Sequence, residues 1–241
     1  MKCNFLVLFG IISFVCTSQT RAQQSSDSVL FAQSVSKIQQ VYINQIGDNA
    51  QIYHGIEYIR NGQKAAGFPY YESDSMLAGS VSYQGVLYQN LNFFYNMVSD
   101  ELVINNFEHN ALITLATEKI DSFSIGDHVF VRLESKNSSG LTKDGFYDLM
   151  YSGEPGFYVR REKRLDMGSG GAEPRYAQFN YYFVKIKNVY YAVDSKKSLL
   201  ALLNDKEDVL KKYIRAHKLN FKKHLESSLV LTTIYYSSLR Q

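Results

Sequence analysis

The chain has no tryptophan, only three prolines and only two cysteines among its 241 residues. Cys3 and Cys16 both lie near the N-terminus. Beyond them there is no disulfide, no thiolate nucleophile and no cysteine metal ligand, so stability has to come from an ordinary core. So few prolines leave most strands uninterrupted. Long apolar runs are missing too: the best, residues 5–15, falls short of the roughly 20 residues that span a bilayer. Charge of one sign is not in excess. Without the first 22 residues, 24 Lys and Arg face 23 Asp and Glu, a balance that argues against nucleic-acid binding by charge.

What is present first is an export signal. Lys2 supplies the positive start, residues 5–15 the apolar stretch, and Thr20-Arg21-Ala22 the small residues of a cleavage site, so the cut is expected between Ala22 and Gln23. Cys16 offers a lipoprotein alternative, but Val15 stands before it where a small residue is normal. The mature chain, 23–241, then has 219 residues and no transmembrane span, which suits one β-rich domain.

Residues 23–50 read as an N-terminal helix, with Phe31, Val35, Ile38, Tyr42 and Ile46 on one stripe. Residues 51–193 alternate as strands between turn residues. Ile52, His54, Ile56 and Tyr58 share one side of the first. Further strands are expected at 81–93, 101–105, 111–117, 119–125, 128–133, 145–151, 157–165, 176–187 and 189–193. Residues 194–241 return to helix: a short turn around Leu199, a helix capped by Asn204 or Asp205 that buries Val209, Leu210, Tyr213, Ile214 and His217, and a last one over 221–239. The expected fold is α+β, mainly β: a curved or partly closed antiparallel sheet with N-terminal and C-terminal helices packed on it.

Catalytic and cofactor chemistry finds no motif. His54, His109, His128, His217 and His224 lack zinc-helix spacing, and HExxH and GxSxG do not occur. Gly168-Ser169-Gly170-Gly171 lies between two strands, without the Lys-Ser/Thr of a phosphate loop, and reads as a hairpin loop. Asp144 with Asp148, or Glu101 with Glu108, could flank a glycosidic bond only if the fold set their spacing. No catalytic, cofactor-binding or metal residue is assigned. The densest basic cluster is 160–164. On a strand, Arg160, Glu162 and Arg164 face one way and Arg161 and Lys163 the other. It reads as an exposed or edge strand protected by charge, with Arg160, Arg161 and Lys163 as candidate partner contacts. The C-terminal 48 residues hold ten Lys/Arg against five Asp/Glu, which reads as a solvated helix face before a membrane or polyanion contact.

The runs GSVSYQGVLYQNLNFFYNMVSDELVI (79–104) and GFYDLMYSG…FYVRREKR (145–164), with the tail from KKSLLALLNDKEDVLKKY onward (196–239), resemble secreted proteins of unknown function from Bacteroidota. The resemblance implies a periplasmic or outer-membrane-associated location and carries no activity. It also makes Asp27-Ser28-Val29 and Asp74-Ser75-Met76 similar to O-glycosylation acceptors, at Ser28 and Ser75. The expected function is a non-enzymatic binding or scaffolding component of the bacterial envelope, with another envelope protein or an apolar or glycan ligand as partner. The alternative is a carrier of a lipid or other apolar ligand in a half-open barrel, and a hydrolase stands third. A continuous aromatic cavity would favour the carrier, and a filled core with an exposed Tyr/Phe patch the scaffold.

Overall fold

The computed structural model describes residue 34 and residues 51–60, 64–106, 111–169 and 171–240. The expected signal segment with Cys16 and the expected Ala22–Gln23 cut, Ser28, and all but Ser34 of the expected N-terminal helix lie outside the described residues.

Alternating apolar residues between tight turns produce one antiparallel sheet. Its strands are β1 (Ile56–Glu57), β2 (Leu77–Tyr83), β3 (Val86–Asn96), β4 (Glu101–Asn106), β5 (Ala111–Thr114), β6 (Ile120–Ile125), β7 (His128–Leu133), β8 (Gly145–Tyr151), β9 (Gly156–Asp166), β10 (Arg175–Ile186) and β11 (Val189–Val193). Their spatial order is β1-β5-β4-β3-β2-β6-β7-β8-β9-β10-β11. Two meanders are thus joined side by side where β6 returns along β2. Gln84 and Gly85 both take positive φ (51° and 75°) in the two-residue β2–β3 turn, the twist a tight hairpin needs.

Among the described residues the sheet does not close, since β1 and β11 remain as its edges, but it curls strongly. Four strands separate β3 from β9 in the ladder, yet the Lys163 amide of β9 donates to the Met97 carbonyl just beyond β3 (3.0 Å). The curl encloses a filled aromatic core. Phe123 and Phe130 stack at 4.7 Å, and Tyr95 and Phe146 meet Phe123 edge-on, each at 5.0 Å. Such ring pairs add to the stabilisation from burial alone.

Three helices, α1 (Lys196–Leu202), α2 (Glu207–Ala216) and α3 (Leu225–Ser238), cover β9–β11. Leu199, Leu203, Leu210, Ile214 and Leu229 pack there against Phe157, Val159, Val184 and Val193. Residues 228–236 are β-prone by composition, yet they are helical because tertiary burial outweighs propensity. Leu229, Val230 and Tyr236 are buried, and the Thr232 and Thr233 hydroxyls donate to the Ser228 and Leu229 carbonyls one turn back (2.7 and 2.9 Å).

Several expectations are corrected. Residues 51–58 form a 3₁₀ turn and the two-residue β1, which among the described residues pairs with the four-residue β5 alone; Ile52 is buried while Ile56 is 80% exposed. Asp205 does not cap α2: residues 204–206 form a 3₁₀ turn and the Asp205 carboxylate accepts from the Tyr236 hydroxyl (2.8 Å). Within α2 the buried side is Leu210 and Ile214, and Val209 and His217 are exposed. The last helix starts at Leu225, after a turn in which Asn220 Oδ1 accepts from the Lys222 and Lys223 amides. Finally, β9 is no free edge strand: β10 pairs along its whole length, β8 pairs with Phe157 to Val159, and beyond them the Lys163 amide bonds to Met97, while Arg160, Arg161 and Glu162 are buried.

Candidate functional site

Strand β9 carries the basic cluster, and its alternation sends the cations to two places. Arg161 shares the helix-covered face with Phe157 and Val159, and there it is buried. Its guanidinium makes a two-pronged contact with Glu226 of α3 (Nη1–Oε2 3.0 Å, Nη2–Oε1 2.8 Å), and its Nε donates to Asp148 of β8 (2.7 Å). Burial alone would lower the Arg161 pKa, but hydrogen bonds to Glu226 and the charge of Asp148 more than offset it and leave it raised. Asp148 is fully buried, and the same Oδ2 meets His128 Nδ1 at 2.7 Å. Its other oxygen has no hydrogen-bond partner among the described residues. This ionic seam separates the aromatic core of the curl from the apolar layer under the helices.

Arg160 points to the opposite face and pairs with Asp100 of the β3–β4 turn (2.9 Å). Lys163 donates to the carbonyls of Phe68 and Tyr70 (3.1 and 2.5 Å), and burial lowers its pKa. The three candidate contact residues therefore all have partners inside the chain. Their exposure was overestimated because period-2 alternation assigns a face without saying which faces are covered.

The seam was legible in principle. Arg161 two residues after Val159, and Asp148 between Phe146 and Met150, are charges on otherwise apolar strand faces, and each implies a buried partner. It orients one imidazole, but among the described residues no serine or threonine hydroxyl hydrogen-bonds to His128. Asp144 is exposed and accepts from the Ser135 amide and hydroxyl (2.7 Å each), which hold its carboxyl below the usual range. Asp148, by contrast, is buried and held by His128 and Arg161. His54, His217 and His224 are exposed, and His109 and Glu108 lie outside the described residues. No group of three His, Cys, Asp or Glu among the described residues could hold a metal ion, and no helix among them is long and apolar enough to cross a membrane. Gly168 to Gly171 lie in the β9–β10 connection. Ser75 is exposed in the loop before β2.

An open cleft lies elsewhere, at the helices. Ser195 caps α1 by accepting from the Ser198 amide (3.1 Å). Helix α2 ends where Lys218 turns left-handed (φ 52°) and the Leu219 amide bonds back to Ile214 (3.0 Å). The 219–224 turn then places Phe221 in the lining of one cavity with the start of α1. Between these pieces lies a cleft of about 800 Å³ whose floor includes Ile214, Leu219, Phe221 and Leu225. The stacked rings of Tyr213 and Tyr235 (3.9 Å, 7°) fix α2 against α3 beside it. A second recess, about 270 Å³, lies by Tyr58 and Tyr70, whose hydroxyls bond to each other at 3.2 Å. On the outer face of β10, Phe179 and Tyr181 are 41% and 39% exposed, with the Arg164 guanidinium over the Phe179 ring. Comparison with protein-family models, with curated proteins and with solved structures found no match to the chain.

Proposed function

We propose that the chain is an exported, non-enzymatic binding component of the bacterial cell envelope that engages its partner or ligand through the cleft between α1, α2 and the 219–225 turn. The observation that carries this reading is the contrast between a filled sheet and an open helical layer. Phe93, Tyr95, Phe123, Phe130 and Phe146 occupy the inside of the curl, where the half-open-barrel carrier would need an empty space. The open cleft and the half-exposed Phe179 and Tyr181 suit contact from outside the sheet.

Native mass spectrometry of the protein purified gently from its own cells tests this. A stoichiometric companion, polypeptide or small molecule, is the expected result; a bare monomer at every concentration tried would overturn the reading. The same spectra check the proposed O-glycosylation at Ser28 and Ser75. The expected mass exceeds that of polypeptide 23–241, and the excess falls when Ser75 is replaced by alanine. A mass equal to the bare polypeptide removes both acceptors.

A further inference from the structure

We propose that the helical cleft binds an acidic lipid, with a phosphate headgroup held among its cations and the apolar chain laid into the recess that adjoins it. The proposal deepens the reading of the cleft as the contact site, on which it rests.

Lys196, Lys197, Lys211, Arg215, Lys218 and Lys222 all line the cleft. They come from three separate pieces of chain: the start of α1, the last half of α2 with its terminal turn, and the loop before α3. A solvated helix face would spread such charges around its own axis, and Lys206 and Lys212 do lie outside the lining. The six instead converge on one concavity. Of these six, only Lys211 has an ion-pair partner among the described residues, Glu207 at 2.8 Å. The single acid in the lining, Asp194, accepts from the Ser198 hydroxyl (3.0 Å) and so helps to hold the mouth of α1. Several unpaired cations around one cavity match a multiply charged phosphate, and Arg215 adds a fork that can grip two of its oxygens.

A third recess, about 410 Å³ and mostly apolar, shares Asp194 and Leu225 with the cleft and is lined also by Tyr182, Ala192 and Val193. Cationic mouth, apolar floor and apolar annex adjoin one another at Asp194 and Leu225 and offer two chemistries side by side. A free phosphate has no use for the annex. A nucleic acid would need a wider basic track and a larger overall positive charge. An acidic lipid satisfies both ends.

Flotation of the full mature protein with phosphatidylcholine vesicles, with and without phosphatidate, gives the first readout. Binding is expected only to the vesicles that contain phosphatidate. The Lys197→Glu/Arg215→Glu double variant, at exposed positions without ion pairs, should keep its circular dichroism spectrum and lose roughly thirtyfold in affinity. The Lys206→Glu/Lys212→Glu variant has the same net charge and should retain binding. A titration with soluble short-chain phosphatidate gives the second readout: one site, at least about tenfold tighter than inorganic phosphate, because the chain buries apolar surface. Equal affinity for inorganic phosphate would reduce the cleft to a bare anion site and overturn the lipid assignment. Equal losses in the two charge-reversed variants would show diffuse attraction and overturn the site. If phosphatidate does not bind while native spectra still show a bound polypeptide, the lipid proposal falls and the broader binding reading stands.

Discussion

Arg161→Met is expected to cost about 3–5 kcal/mol of folding stability and to lower Tm by roughly 10 °C. Methionine can fill the aliphatic space of the arginine stem, so little of that loss is packing. The cost arises because Asp148, fully buried, keeps only His128 as a partner while Glu226 loses both of its hydrogen bonds to the guanidinium. A buried charge stripped of its partner costs far more than the pair was worth relative to an apolar substitute. Adding Asp148→Asn to Arg161→Met removes the stranded charge, so the double variant should regain about 1–2 kcal/mol. Arg164→Met, whose side chain is 54% exposed, is the control and should move Tm little. Urea denaturation followed by fluorescence and by circular dichroism measures all three. Equal midpoints for the Arg161 and Arg164 variants would mean that the seam does not hold the helices to the sheet.

The seam also marks where sequence reasoning stops. Strand positions were legible because period-2 alternation and turn residues are local: β7 and β8 fall at 128–133 and 145–151 as expected, and β9–β11 within a residue or two. The C-terminal helices were legible from Leu199, Leu210 and Ile214 for the same reason. What alternation cannot give is the partner of each face. That β9 lies between β8 and β10 while its end touches Met97 depends on a curl across six strands, a long-range property with no local signature. Exposure of Arg160, Arg161 and Lys163 was therefore misjudged although their division between two faces was right. The cleft was half legible: the excess of lysine after residue 194 could be counted, but its convergence depends on Lys218 turning left-handed and on Phe221 lining one cavity with the start of α1. A filled core likewise could not be told from a lined cavity, because the same Phe and Tyr residues would serve either.

Gly145→Ala is expected to destabilise the protein by about 3–5 kcal/mol, from the loss of a buried ion pair together with backbone strain. Gly145 opens β8 at φ +134°, a conformation that L side chains rarely adopt. A Cβ there would clash with both Arg160 Nη1 and Asp100 Oδ2. Either group alone could swing aside, but Asp100 is fixed at three points: it also accepts from the Tyr95 hydroxyl (2.7 Å) and from the Phe146 amide (3.2 Å). Moving it breaks the Arg160 pair and frees the hydroxyl of Tyr95, a fully buried residue whose phenol burial pushes well above its ordinary range. These contacts tie the β3–β4 turn to β8 and β9 and so hold the curl that encloses the aromatic core. Gly126→Ala is the matched control. Its φ is also positive (+56°), but nothing lies within 4 Å of the new methyl, so its cost should be about 1 kcal/mol of backbone strain. The near-ultraviolet circular dichroism of the tyrosines should change in the Gly145 variant and stay native in the Gly126 variant. If the two cost the same, the curl does not depend on the Asp100–Arg160 pair, and the core aromatics hold it by packing alone.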